Sequence, residues 1–143
     1  MDTKTYLKQI SRLDRMIQNK LSELTQFKDL SYGLSAVRNE ERVQTSSDFD
    51  KIGRLLSKIE KMEIALDEMI DDFVEKKSLI ISQIDAMENE TYYEVLFAVY
   101  IEKKTLERVS ADMNYSFRHT TRIHGYALKE FEKLYGETYL KLS

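Results

Sequence analysis

Apolar side chains return at every seventh position along the middle of this chain, from Ile52 to Met87. Charged residues flank this stripe, and so narrow a seam is typical of a helix that pairs with another in a coiled coil. Lys76 and Gln83 interrupt the seam, so we expect the partner of the helix to change near Lys76. The two heptad slots are filled by Ile52, Ile59, Leu66, Phe73, Ile80 and Met87, and by Leu55, Met62 and Met69.

A second amphipathic helix is predicted over residues 4–30, where apolar residues recur at spacings of three and four. The polar residues 31–48 then indicate a connector, with Ser47 as the cap of the next helix. The heptad stripe pairs either with this first helix, folded back as a hairpin, or with the same helix of a second chain. We favour a hairpin whose remaining apolar surface supports a homodimer, so residues 1–87 are predicted to form a coiled-coil-like stalk.

The composition favours an all-α fold. Four of the 143 residues are glycine and none is proline, so few residues break helices. No cysteine is present, which excludes disulfides, thiolate zinc sites and cysteine nucleophiles. The longest apolar run, residues 95–101, is far shorter than the ~18 residues that span a bilayer. Since no signal-peptide pattern is evident either, we expect a cytoplasmic protein without membrane contact.

Side chains grouped for catalysis or metal binding are not evident in the sequence. His119 and His124 are five residues apart, so they do not share a helix face as a metal-binding pair would. The pair Asp71 and Asp72 indicates a solvated helix surface, and no glycine-rich phosphate loop occurs. We therefore expect neither an enzyme nor a bound metal or other cofactor.

The last third of the chain predicts three short helices in a helix-turn-helix domain over residues 88–143. The helices are expected at 90–101, 106–113 and 117 to about 135, with Asn89, Thr105 and Ser116 as their N-caps. Asn114 stands at the turn between the last two helices, because asparagine tolerates a positive φ. The small Ser110 permits close packing of these helices, and the residues expected to face inward are Val109, Met113, Tyr115, Thr120, Ile123, Ala127, Leu128 and Phe131.

The outward face of the last helix is cationic, since no acidic residue occurs from Met113 to Lys129. Such a face suits duplex DNA: arginine donates two hydrogen bonds to guanine, while threonine and phenylalanine contact the thymine methyl group. The residues predicted to read bases are Phe117, Arg118, Thr121 and Arg122. The residues predicted to contact phosphates are Lys103, Lys104, Thr105, Arg108, Ser116, His119, His124 and Lys129.

Four segments within residues 80–131 carry a resemblance to a known module: YEVL at 93–96, KTLERVS at 104–110, MNYS at 113–116 and HGYAL at 124–128. They resemble region four of bacterial sigma factors, whose helix-turn-helix reads the −35 promoter element. More narrowly, the chain resembles phage and prophage late-gene regulators of the ArpU and RinA type. In those proteins a heptad-rich half comes first, and a run like VQTSS at 43–47 opens the second long helix.

This chain departs from sigma factors in two respects. Phe117, Arg118 and Thr121 stand in contact positions where sigma factors usually mix acidic and basic residues, so the −35 target does not transfer. The resemblance also does not extend to the sigma regions that bind core polymerase and melt the promoter. We therefore do not expect a complete initiation factor.

The resemblance implies a sequence-specific transcriptional regulator, an activator of late genes, that binds double-stranded DNA. Its implied partners are DNA, RNA polymerase and a second copy of the chain. Two alternatives stay open. One is a DNA-packaging component of the small-terminase kind, which forms rings. The other is a module that binds polymerase or a host protein and does not bind DNA.

Overall fold

The computed structural model describes residues 1–40 and 46–141, with side chains at 1–34 and 49–141. Regular structure over these residues is helical throughout, which confirms the predicted all-α class. None of the described helices is both long enough and apolar enough to cross a bilayer. The helices are α1 (Thr3–Glu40), α2 (Ser46–Asp85), α3 (Glu90–Leu96), α4 (Leu106–Met113) and α5 (Phe117–Tyr135), with a π-helix at Phe97–Ile101 and a 3₁₀ turn at Gly136–Thr138.

The two long helices extend well into the predicted connector. Helix α1 continues to Glu40 and α2 begins at Ser46, so the prediction of a connector over 31–48 is wrong at 31–40 and 46–48. Ser47 accordingly lies inside α2 and does not precede it as a cap. Propagating an existing helix is easy where no proline intervenes, and Ser31 is buried at the next heptad position of α1. Residues 41–45 of the predicted connector lie outside the described residues.

The chain forms two compact units, and their boundary differs from the one predicted at residue 87. Unit 1 comprises Met1–Leu13 with Phe73–Ser143, and unit 2 comprises Asp14–Asp72. The reason is a shared core, in which Leu7 and Ile10 of α1 are buried with Ile80 and Ile84 of α2. The start of α1 and the end of α2 therefore belong with the three shorter helices.

In unit 2 the heptad stripe of α2 is partly buried within a single chain. Ile59 and Leu66 of α2 are buried, as are Ile17 and Leu24 of α1. The ammonium of Lys28 on α1 lies 3.4 Å from the carboxylate of Glu63 on α2. The ammonium of Lys58 on α2 lies 4.6 Å from the ring centroid of Phe27 on α1. The two helices thus contact each other directly in this unit.

The core of unit 1 joins residues from the two ends of the chain. The rings of Tyr6 and Tyr139 stack with centroids 4.2 Å apart and planes within 7°. The Tyr6 hydroxyl donates to Gln83 Oε1 at 2.6 Å, and the hydroxyls of Thr3 and Tyr139 share a buried hydrogen bond of 2.8 Å. Gln83 therefore interrupts the apolar heptad because its amide satisfies a buried phenol, as a buried polar group requires.

The helix predicted at 90–101 is present, but its second half is a π-helix. Asn89 caps its start as predicted, because the side-chain oxygen accepts the backbone N–H of Thr91 and of Tyr92. After Leu96 the turns widen, and the N–H of Glu102 donates to the Phe97 carbonyl at 3.0 Å. The widened turn carries the buried Tyr100. The chain then leaves the helix through Lys103, whose φ is 60°.

Candidate nucleic-acid interface

Helices α4 and α5 are joined by a short turn whose geometry follows from three side chains. Thr105 caps α4 by accepting the N–H of Arg108, and Ser116 caps α5 by accepting the N–H of His119 at 3.1 Å. Between them Asn114 adopts the left-handed conformation, with φ 58° and ψ 36°. The predictions of both caps and of the positive φ at Asn114 are confirmed. These local interactions fix where α5 begins and in which direction it leaves the turn.

The inner faces of α4 and α5 pack as the periodicity predicts, with one exception. Val109 and Ser110 of α4 are buried, and Met113 and Leu128 are half-buried. Tyr115 was expected to face inward, and this prediction is wrong. Its ring is exposed and meets the His119 ring edge-on at a centroid distance of 4.8 Å. The buried side chains of α5 are those of Thr120, Ile123, His124, Ala127 and Phe131.

The four residues predicted to read bases lie together on the exposed side of α5. Phe117 leaves 49% of its surface exposed, and Arg118, Thr121 and Arg122 are exposed as well. The Thr121 hydroxyl donates to the Phe117 carbonyl at 2.9 Å, which leaves its oxygen lone pairs to accept. Within the described part of the chain, neither Arg118 nor Arg122 has an ion-pair partner. Both guanidinium groups are therefore available to an anionic ligand.

Tyr126 extends this face and was not among the predicted site residues. Its ring is 51% exposed, one helical turn beyond Arg122, and Lys129 follows as a further exposed residue. The sequence spacing could have identified Tyr126 as part of this face. Residues four apart share a helix face, and Tyr126 follows Arg118 and Arg122 at that interval. We call the exposed stripe of Phe117, Arg118, Thr121, Arg122, Tyr126 and Lys129 the outer face of α5.

Two of the predicted phosphate contacts already carry ion pairs. Lys104 Nζ lies 3.2 Å from one carboxylate oxygen of Asp112 and 3.7 Å from Glu102. Arg108 Nε lies 3.2 Å from the other oxygen of Asp112. The hydrogen bond from Lys104, followed by the charges of Arg108 and Lys104, lowers the pKa of Asp112. A phosphate near Lys104 and Arg108 must therefore compete with Asp112.

The other predicted phosphate contacts, except His124, lie on the surface. Thr105 and Ser116 use their oxygens as caps, which leaves each hydroxyl proton for donation. Lys103, His119 and Lys129 are exposed. The N-terminus of α5 also presents backbone N–H groups that attract anions. All of these groups belong to α4, to α5 or to the segments that precede them.

His124 does not lie on the surface, which corrects its prediction as a phosphate contact. Only 7% of its surface is exposed, and its Nε2 forms a 2.8 Å hydrogen bond with the hydroxyl of Tyr100 on the π-helix. Burial, then the positive charges of Lys4 and Lys8, lower the pKa of the imidazole. Burial likewise raises the pKa of Tyr100. The pair is therefore a neutral contact inside unit 1.

The lowered pKa of His124 predicts that the fold loses stability in mild acid. The unfolded imidazole titrates near pH 6.5 and the folded one below it, so the unfolded chain binds a proton first as the pH falls. The contribution of His124 is thus complete above about pH 6.5 and is lost as the pH falls through the folded pKa. Urea unfolding at pH 7.5 and 5.5 measures this, and His124→Gln should reduce the difference between the two.

The control for this prediction is His119→Gln, since His119 is exposed on the same helix. This variant should keep the pH dependence of the wild-type chain. A pH dependence that survives unchanged in His124→Gln would show that other groups are responsible.

No metal-binding group of three or more His, Cys, Asp or Glu side chains occurs within the described residues. Comparison with known protein families, with curated proteins and with solved structures finds no match to this chain. What the site can do follows from its geometry: the outer face of α5 displays two arginines that have no ion-pair partner among the described residues, the rings of Phe117 and Tyr126, and Lys129. That arrangement can bind a polyanion and contact the planar edges of its bases.

Proposed function

We propose that the chain is a transcriptional regulator of the phage late-gene type that binds duplex DNA through a helix-turn-helix formed by α4 and α5. The outer face of α5 enters the major groove, where Arg118 and Arg122 read base edges. The observation that carries the proposal is that Arg118 and Arg122 are exposed and have no ion-pair partner in the described structure. Both lie near the N-terminus of α5, which Ser116 caps. The cytoplasm of a bacterial host is the proposed location.

The stalk supplies the partner contacts in this proposal. Two copies of the chain form a dimer, so that two α5 helices reach half-sites about one helical turn, or ~34 Å, apart along the DNA. RNA polymerase is the second proposed protein partner. The acidic balance of the whole chain, with net charge −3, restricts DNA binding to the local cationic face.

Binding to DNA is tested by a salt titration with random duplex, followed by selection of preferred duplexes from a random pool. Since each neutralised phosphate changes the slope by about −0.9, the three cations of the outer face of α5, Arg118, Arg122 and Lys129, predict a slope of about −2 to −3 per chain. Fluorescence anisotropy of a labelled duplex provides the measurement. Affinity that does not change with salt, or no binding at all, would favour a module that binds only protein.

A DNA-packaging component is the second candidate, and mass separates it from a regulator. Packaging components of the small-terminase kind assemble as rings, whereas the proposed regulator is a dimer. Native mass spectrometry of the full chain should give twice 16.9 kDa. A mass of eight or more chains would instead favour the packaging candidate.

A further inference from the structure

The start of α1 packs with the second half of α5 in the core of unit 1. Tyr6 and Leu7 of α1 are buried in the same cluster as Ala127 and Phe131 of α5. The ring centroids of Tyr6 and Phe131 lie 6.0 Å apart. The first turns of α1 therefore form part of the surroundings of the helix that we assign to DNA.

Two lysines of α1 stand beside this contact. Lys4 is adjacent to both Leu7 and Lys8 on the helix surface, because residues three and four apart are neighbours. Lys4 and Lys8 are exposed, and among the residues that the structure describes neither has an ion-pair partner. Burial, then the charges of Lys4 and Lys8, lower the pKa of His124 on α5. Both ammonium groups thus lie near the imidazole of His124.

His124 shows which edge of α5 these lysines border. Thr121 precedes His124 by three residues and Phe117 precedes it by seven, so the three share one side of the helix. His124 is buried, whereas Thr121 and Phe117 are exposed and belong to the outer face of α5. Lys4 and Lys8 therefore adjoin the outer face along the edge that carries Phe117 and Thr121.

The charge at this edge is positive. Residues 1–13 include the cations Lys4, Lys8 and Arg12, with Asp2 as their one acid. The Asp2 carboxylate accepts the backbone N–H of Thr5 at 2.7 Å, and its hydrogen bonds with Thr5 lower its pKa. Asp2 is thus engaged with the first turn of its own helix. The outer face of α5 likewise includes no acid, so a polyanion meets cations from both helices.

We infer that Lys4 and Lys8 contact the phosphates of one DNA strand while α5 occupies the major groove. Phosphate backbones border this groove on both sides, so cations that flank a reading helix meet them. Lys104 and Arg108 were predicted to make such contacts, but Asp112 already pairs with both. The inference rests on the proposed function and adds the first helix of the chain to its DNA-binding surface.

The salt dependence of duplex binding tests this role in the full chain. Two further phosphate contacts, at about 0.9 each, should steepen the slope expected from the outer face of α5 to about −4 to −5. The double variant Lys4→Gln with Lys8→Gln should return it to about −2 to −3. Because phosphate contacts do not read sequence, its affinity should fall by the same factor for a selected and for a scrambled duplex. Fluorescence anisotropy measures both quantities.

Two further double variants separate these contacts from a general effect of charge. Lys4→Arg with Lys8→Arg keeps both charges and should keep the wild-type slope. Lys20→Gln with Lys28→Gln removes two charges from the same helix, at residues that lie in unit 2 and form ion pairs. This control should keep the wild-type slope as well. A slope that becomes equally shallow in the control would attribute the effect to net charge and overturn the inference.

The pKa of His124 tests the placement of the lysines without any DNA. Removing the two charges in Lys4→Gln with Lys8→Gln should raise this pKa, which NMR of the imidazole measures. The control variant at positions 20 and 28 should leave it unchanged. An unchanged pKa in the first variant would contradict the placement. A raised pKa with an unaltered salt slope would overturn the phosphate contacts alone, whereas a wild type that binds no duplex would contradict the proposed function and these contacts together.

Discussion

Replacing Arg118 and Arg122 by alanine should remove specific recognition of a selected duplex while the chain stays folded. Each bidentate contact with a base contributes about 1–3 kcal/mol, so each single variant should bind the selected duplex about 5- to 150-fold more weakly. The two residues are one helical turn apart and share a ligand, so the double variant need not equal the sum. Anisotropy with the selected and with a scrambled duplex measures the loss, and affinity for the selected duplex should approach that for the scrambled one.

Lys133→Ala is the control for the arginine variants. Lys133 is an exposed cation in the last turn of the same helix, beyond the outer face that we assign to DNA. Its loss should change affinity less than either arginine variant. If Arg118→Ala and Arg122→Ala bound the selected duplex as tightly as the wild type, the assignment of α5 as the reading helix would be refuted.

Phe131→Ala should cost unit 1 about 3–5 kcal/mol of unfolding free energy. The Phe131 ring is fully buried, and its centroid lies 5.0 Å from that of Tyr135, 6.0 Å from that of Tyr6 and 6.3 Å from that of Tyr139. Truncation leaves a cavity among three aromatic rings, which cannot collapse without breaking the stack of Tyr6 on Tyr139. Urea unfolding followed by tyrosine fluorescence and circular dichroism measures the change.

Leu134→Ala is the comparison for Phe131→Ala. Leu134 lies three residues later on α5 and leaves 49% of its surface exposed, so its truncation should cost under about 1 kcal/mol. Similar costs for the two variants would mean that Phe131 does not anchor the core of unit 1.

Sequence reasoning succeeded where the deciding interactions are local. The caps Asn89, Thr105 and Ser116 bond to backbone groups two or three residues away, so their identity and position suffice to locate the helix starts. The left-handed backbone of Asn114 could also be predicted locally, because an asparagine side chain itself makes this conformation accessible. Helical periodicity also predicted the exposed residues on the outer face of α5, with the exception of Tyr126.

Features that depend on distant partners could not be derived in this way. His124 was predicted to lie on the surface because its partner, Tyr100, is 24 residues away in the sequence. Tyr100 lies on a π-helix, which the local sequence pattern did not predict. Gln83 looked like a break in the heptad because its partner Tyr6 is 77 residues away. The unit boundary was misplaced for the same reason, since Tyr6 of α1 meets its partner Tyr139 only in three dimensions.

The stacking of Tyr6 on Tyr139 has a consequence for biosynthesis. Unit 2 is a continuous stretch of chain and can form as soon as its helices leave the ribosome, whereas unit 1 cannot close until position 139 has emerged. Contacts of such large sequence separation form slowly. During translation the Tyr6 side chain, in the first turns of α1, therefore stays uncovered until Tyr139 has emerged.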